Sequence, residues 1–138
     1  MNEMNELKVF SIEEANRMIP VLSLLISELH RKRDSIVGVE VGVDALELVC
    51  DETKEAVPEG LEDLMSEHRE AVREFDAVVD EIHSHGCYLK DIDLGLIDLY
   101  GIVDGRVVYL CWRLGEDRVR FWHEVGQGYA HRQSLHES

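Results

Sequence analysis

The chain changes its hydrophobic period at Gly86, and that change constrains the fold more than any other feature. Before Gly86, apolar residues recur every three or four positions; after it they recur every second position. The first spacing lines one face of a helix and the second lines one face of a strand. The expected class is therefore α+β: an N-terminal antiparallel α-helical hairpin packed on a C-terminal antiparallel β-meander of three to four strands. At 138 residues the whole chain suits a single domain over 1–138. The hairpin is expected over about 11–84, the meander over about 86–125 and a tail over 126–138.

Ser11-Ile-Glu-Glu14 reads as a capping box that starts the first helix, with each side chain bonding the other residue's amide. Ile12, Ala15, Ile19, Leu22, Ile26 and Leu29 then line one helical face. Pro20 interrupts this run and predicts a kink or a restart, because its ring crowds the carbonyl of Asn16 and it has no amide to donate. The helix is expected to end between Arg33 and Val37, ahead of Gly38. An acidic connector with a short helix is expected over 38–60, closed by Pro58 and Gly60. From about Glu59 to Ser84, the residues Leu61, Met65, His68, Val72, Phe75, Val79 and Ile82 form a seam of alternating four- and three-residue steps. Such a seam packs antiparallel on the first helix at a shallow angle. His68 lies mid-seam and is expected to be satisfied by the opposite helix.

Four segments then alternate: CYLKD, LIDLYGIV, RVVYLCWRL and RVRFWHEV. Asp104-Gly105 predicts a two-residue type I′ turn, and Gly115-Glu116 predicts a second tight turn. Those turns would pair Leu99 with Leu110, Ile97 with Trp112, Leu110 with Phe121 and Val108 with His123. One face would then be apolar and turned to the helices. The other would carry Asp98, Cys111 and Arg120 in one row, Tyr100, Tyr109 and Trp122 in the next, and Ile102, Val107 and Glu124 in a third. Three aromatics beside an acid, a thiol and a base predict an interface or a ligand site, unless the tail covers them.

The 14 basic against 29 acidic residues leave a formal net charge of −15. That field repels phosphate backbones and anionic membranes, so neither nucleic acid nor membrane is an expected partner. A basic protein, a metal ion or a cationic ligand suits it better. Cys50, Cys87 and Cys111 form no C-x-x-C pair, which argues for a reducing compartment. The acidic N-terminus and the lack of a long apolar run place the protein in the cytoplasm.

Metal-ligand chemistry is concentrated at His123-Glu124, with Glu116 and Arg132 completing a candidate polar site near the strand ends. Adjacent strand residues point to opposite faces, so His123 and Glu124 share one ion only across a bulge. Cys111 beside Arg120 could be an activated thiol, but Asp98 opposes that shift and no histidine is predicted on the same face. No nucleophilic triad, paired-carboxylate motif or phosphate loop appears. The expected function is a non-enzymatic interaction module that self-associates or binds a protein through the Tyr100, Tyr109, Trp122 face or the acidic helical hairpin. The alternative is a small metal- or ligand-binding protein or enzyme with its site at the C-terminal end of the meander.

The segments FSIEEANRMIPVL, GCYLKDIDLGLIDLYG, DGRVVYLCWRLGEDRVRFWHE and GYAHRQSL resemble those of DUF2203, a family of uncharacterised prokaryotic proteins. The resemblance implies a family and no activity. It emphasises Asn16, Asp98, Cys111, Trp112, Glu116, Trp122, His123, Glu124 and Arg132, and it departs from the family pattern at Ala130-His131.

Overall fold

The computed structural model describes residues 7–53 and 59–135. Its elements run β1 (Val9–Phe10), α1 (Ile12–Thr53), α2 (Leu61–Ser84), β2 (Cys87–Asp91), β3 (Leu96–Val103), β4 (Arg106–Arg113), β5 (Phe121–His123), a 3-10 turn (Tyr129–His131) and β6 (Gln133–Ser134). They divide into two units, one formed by the residues up to Ser27 and from Asp80 onward, the other by Glu28–Val79.

The first unit is the sheet with the helical segments that cover it. The capping box is present: Glu14 N donates to Ser11 Oγ at 3.0 Å and Ser11 N to Glu14 Oε1 at 2.9 Å. These bonds hold the Glu14 carboxyl below the usual carboxylate range, the backbone bond contributing most. Pro20 lies inside α1 without restarting it. The buried Ala15, Leu22 and Ile26 on either side anchor the helix, and Ile82 of α2 is fully buried as well. Gly86, at φ 84, ends α2 in the left-handed conformation that its position had suggested.

Strands β2, β3 and β4 form the expected antiparallel meander. Asp104 (φ 52) and Gly105 (φ 75) both take positive φ, as a type I′ turn requires. This turn fixes Val103 opposite Arg106, Leu99 opposite Leu110 and Ile97 opposite Trp112, in agreement with the register read from sequence. Two short strands were not legible beforehand. β1 adds parallel to β3, Val9 opposite Tyr100 and Phe10 opposite Gly101, and β6 pairs with β5. The sheet is therefore partly parallel. Two-residue strands carry too little alternation to be seen in a sequence.

The second unit is an antiparallel pair of helical arms. Lys32 Nζ meets Glu74 Oε1 at 2.7 Å, Glu40 Oε2 lies 3.1 Å from His68 Nε2, and a Cβ built on Gly42 would stand 3.4 Å from Leu64 Cδ1. As the residue number rises along one arm it falls along the other. His68 is thus satisfied by the opposite helix. The expected helix end before Gly38 and the connector over 38–60 give way to helix as far as Thr53, 42 residues in all. A helical glycine costs about 1 kcal/mol, and a partner helix along the arm offsets that by burial. The part of the expected connector at 54–58 lies outside the described residues.

Candidate functional site

The site is created by a register that the sequence misjudged. The turn after β4 closes at Glu116 N to Arg113 O (3.0 Å), with Gly115 at φ 101, one residue earlier than expected. The segment from Asp117 to Arg120 then leaves the ladder, because Val119 N donates to the side-chain oxygen of Asn16 at 2.7 Å rather than to β4. When pairing resumes, Cys111 faces Phe121, Leu110 faces Trp122 and Tyr109 faces His123. A shift of one residue turns every β5 side chain over.

Three expectations are corrected by that shift. Trp122 leaves the aromatic row and lies buried on the face shared with Leu99 and Leu110. Arg120 does not share a row with Asp98 and Cys111; it is exposed and pairs with Asp117 at 3.0 Å. His123 moves from the edge of the apolar face to the opposite one, where it is 1 % exposed. The row beside Tyr100 and Tyr109 is completed by His123, and the row of Asp98 and Cys111 by Phe121.

Asp98, Cys111 and His123 consequently converge from three adjacent strands, all buried, with one ligand atom from each lying within 4.8 Å of the other two. His123 Nε2 is 3.1 Å from Asp98 Oδ2, and His123 Nδ1 is 2.9 Å from the carbonyl oxygen of Glu124. A carbonyl only accepts, so Nδ1 carries a proton and Nε2 is the nitrogen that faces the carboxylate, lone pair to lone pair when it is unprotonated. Two lone pairs at that distance require a shared proton or a cation between them. The other carboxylate oxygen, Asp98 Oδ1, is buried with no hydrogen-bond partner, and the nearby Cys111 thiol acts to lower the carboxyl.

Burial dominates the electrostatics. It raises the Asp98 carboxyl, with His123 opposing, and it pushes the Cys111 thiol up to about 12, with the Asp98 charge adding to the shift and Arg132 opposing it. A thiol held protonated at neutral pH is no nucleophile. The cluster's polar atoms are covered on one side by tyrosines. Tyr100 and Tyr109 stack at 4.7 Å with their hydroxyls 3.2 Å apart, Tyr88 meets Tyr100 edge-on at 5.6 Å, and Lys90 Nζ sits 5.1 Å from the Tyr109 ring centre.

The remaining candidates occupy a second constellation. Both Glu116 carboxylate oxygens accept from Arg132 Nη2, at 2.9 and 2.8 Å, and Glu116 Oε1 also accepts from Arg113 N at 2.7 Å. The Arg132 guanidinium lies 3.9 Å over the Phe121 ring. The Glu124 carboxylate, paired with His123 as a candidate metal ligand, is bound instead by Arg106 at 2.7 and 2.8 Å; Glu124 contributes its backbone carbonyl to the site.

Sequence reasoning had each member of the cluster but dispersed them over two faces. The signal that could have joined them is Asn16, a polar residue on the apolar stripe of α1, whose side chain diverts Val119. Among known proteins, the family model described as an uncharacterized conserved protein, DUF2203, matches residues 8–135. No curated protein and no solved structure matches the chain.

Proposed function

The chain belongs to the DUF2203 family, whose description carries no activity, and from its own geometry we propose that it binds one divalent transition-metal ion on Asp98, Cys111 and His123. One observation carries this reading: three donors of ligating type converge in a buried spot while the far nitrogen of the histidine is tied to a backbone carbonyl. That second bond is how metal-bound histidines are oriented. A tetrahedral ion with bonds of about 2.0–2.3 Å holds its ligand atoms about 3.3–3.8 Å apart, within reach of the spacing here. Thiolate and imidazole favour zinc, cobalt, iron or nickel over calcium or magnesium. A thiolate and a carboxylate together neutralise a divalent cation, which lowers the cost of burying it. Three protein donors leave a fourth position for water or a small ligand.

The test is native mass spectrometry of the tag-free chain loaded with Co²⁺, read beside its visible spectrum. One cobalt per chain, with a thiolate-to-cobalt absorption that Cys111→Ser abolishes, is the expected outcome. A folded wild-type chain that retains no cobalt, zinc, iron or nickel sinks the reading. The proposal includes a reducing cytoplasm, which keeps the thiol available; Cys87 and Cys111 are both free thiols. No helix among the described residues is long and apolar enough to cross a membrane.

A second reading, self-association or a protein partner, draws support from the second unit rather than from the aromatic rows. Val37, Val41, Leu48 and Val49 are each at least half exposed on α1. Light scattering over a range of concentration checks it, with a monomer at every concentration arguing against self-association.

A further inference from the structure

Resting on the metal reading above, we infer that the C-terminal strap, Gly126 to Leu135, is the gate through which the buried Asp98–Cys111–His123 centre exchanges its ion. The three residues are at most 2 % exposed, so an ion reaches them only when a cover moves. The tyrosine cover grows from β2, β3 and β4, whose ladders are the longest in the sheet, and its rings are stacked on one another. The strap is held differently. β6 contributes two residues, Ser134 opposite Phe121 and Gln133 opposite Trp122, with one further bond from Leu135 N to Arg120 O at 2.7 Å.

What fastens the strap over the site is a latch of side chains. Arg132 lies flat on Phe121, the residue that faces Cys111 across β4 and β5, and its charge acts on the Cys111 thiol. Glu116 grips the guanidinium from the turn after β4, and the Tyr129 ring centre lies 4.8 Å from it while the Tyr129 hydroxyl accepts from Arg113 Nη1 at 3.1 Å. Arg132 Nε is buried without a partner, so the latch is not fully satisfied when closed. Two glycines lead into the strap, Gly126 at φ 98 and Gly128, and a Cβ built on either would meet nothing within 4 Å. Releasing Arg132 from Glu116 and Phe121 would peel β6 from β5 and open the Cys111 side of the centre without disturbing β2 to β4.

Two variants loosen the latch without touching a ligand: Glu116→Gln weakens the grip on Arg132, and Tyr129→Phe removes the bond to Arg113. The first readout is the rate at which cobalt-loaded chain gives up its metal to excess chelator, with the rate of uptake measured alongside. Both rates are expected to rise at least tenfold in each variant, with the dissociation constant changed by less than threefold. The second readout needs no metal: methyl methanethiosulfonate labelling of the apo chain, followed at each cysteine by peptide mass. Cys111 is expected to label at least tenfold faster in both variants while Cys87, buried on the opposite face, keeps its wild-type rate. Equal acceleration at Cys87 and Cys111 would mean general loosening of the fold and overturn the gate. Unchanged rates in both variants overturn it too. A wild-type chain that binds no metal sinks the metal reading, and the labelling pattern then reports separately on whether the strap opens.

Discussion

His123 on β5 reaches across β4 to bring its Nε2 within 3.1 Å of Oδ2 of Asp98 on β3. Both side chains are buried, and the carboxyl is raised by that burial first of all. If the pair also ligates a metal, as proposed above, its structural and its ligand roles can be separated by substitution.

Asp98→Asn keeps the shape and supplies an amide N–H that can donate to Nε2. The apo variant is expected to melt no lower than wild type by calorimetry, while its zinc affinity falls by about a hundredfold or more. The melting-temperature rise that zinc gives wild type at saturation should accordingly be lost.

Asn16→Ala removes the acceptor of the Val119 amide, in a segment where Val119 is 3 % exposed. An unpartnered buried N–H costs about 1–3 kcal/mol, to be read as a lower midpoint in urea. Since Asn16 holds 117–120 off the ladder, this variant is also expected to weaken metal binding although it lies on no ligand. A wild-type metal affinity in folded Asn16→Ala would show that the β5 register does not depend on this bond.

Gly101→Ala tests the packing of the apolar face. A Cβ there would stand 2.5 Å from Leu110 Cγ, and Leu110 is 1 % exposed. Overpacking of this kind costs about 1–3 kcal/mol in equilibrium unfolding, with the denaturant slope unchanged.

Cys87 makes stability fall in alkali. Burial pushes its thiol from the ordinary 9.0 to about 11 in the folded chain, with Lys8 opposing. Between those values the folded state binds more protons than the unfolded one, so stability drops as pH rises through the window. The loss is on the order of 2 kcal/mol, and Cys87→Ala should show a flatter curve from pH 9 to 11 in unfolding titrations.

Local patterns already contained the class of the fold, the antiparallel helical pair, the capping box at Ser11 and the β3–β4 register. Each of these depends on residues a few positions apart: a hydroxyl three residues from a carboxylate, a seam at helical spacing, an Asp-Gly turn that leaves only one pairing. The continuation of α1 through Gly38 to Thr53 was not legible, because the glycines weaken the local preference and the partner arm that outweighs it lies elsewhere in the chain. β1 and β6 were too short to carry a period. The candidate site was present in the sequence as a set of residues but not as an arrangement. Tertiary structure decided it: Val119 bonds Asn16, over a hundred residues away, β5 resumes pairing one residue out of its expected register, and His123 turns to the face of Asp98 and Cys111. Side chains alternate along a strand with period two, so a slip of a single residue is enough to separate three ligands or to gather them.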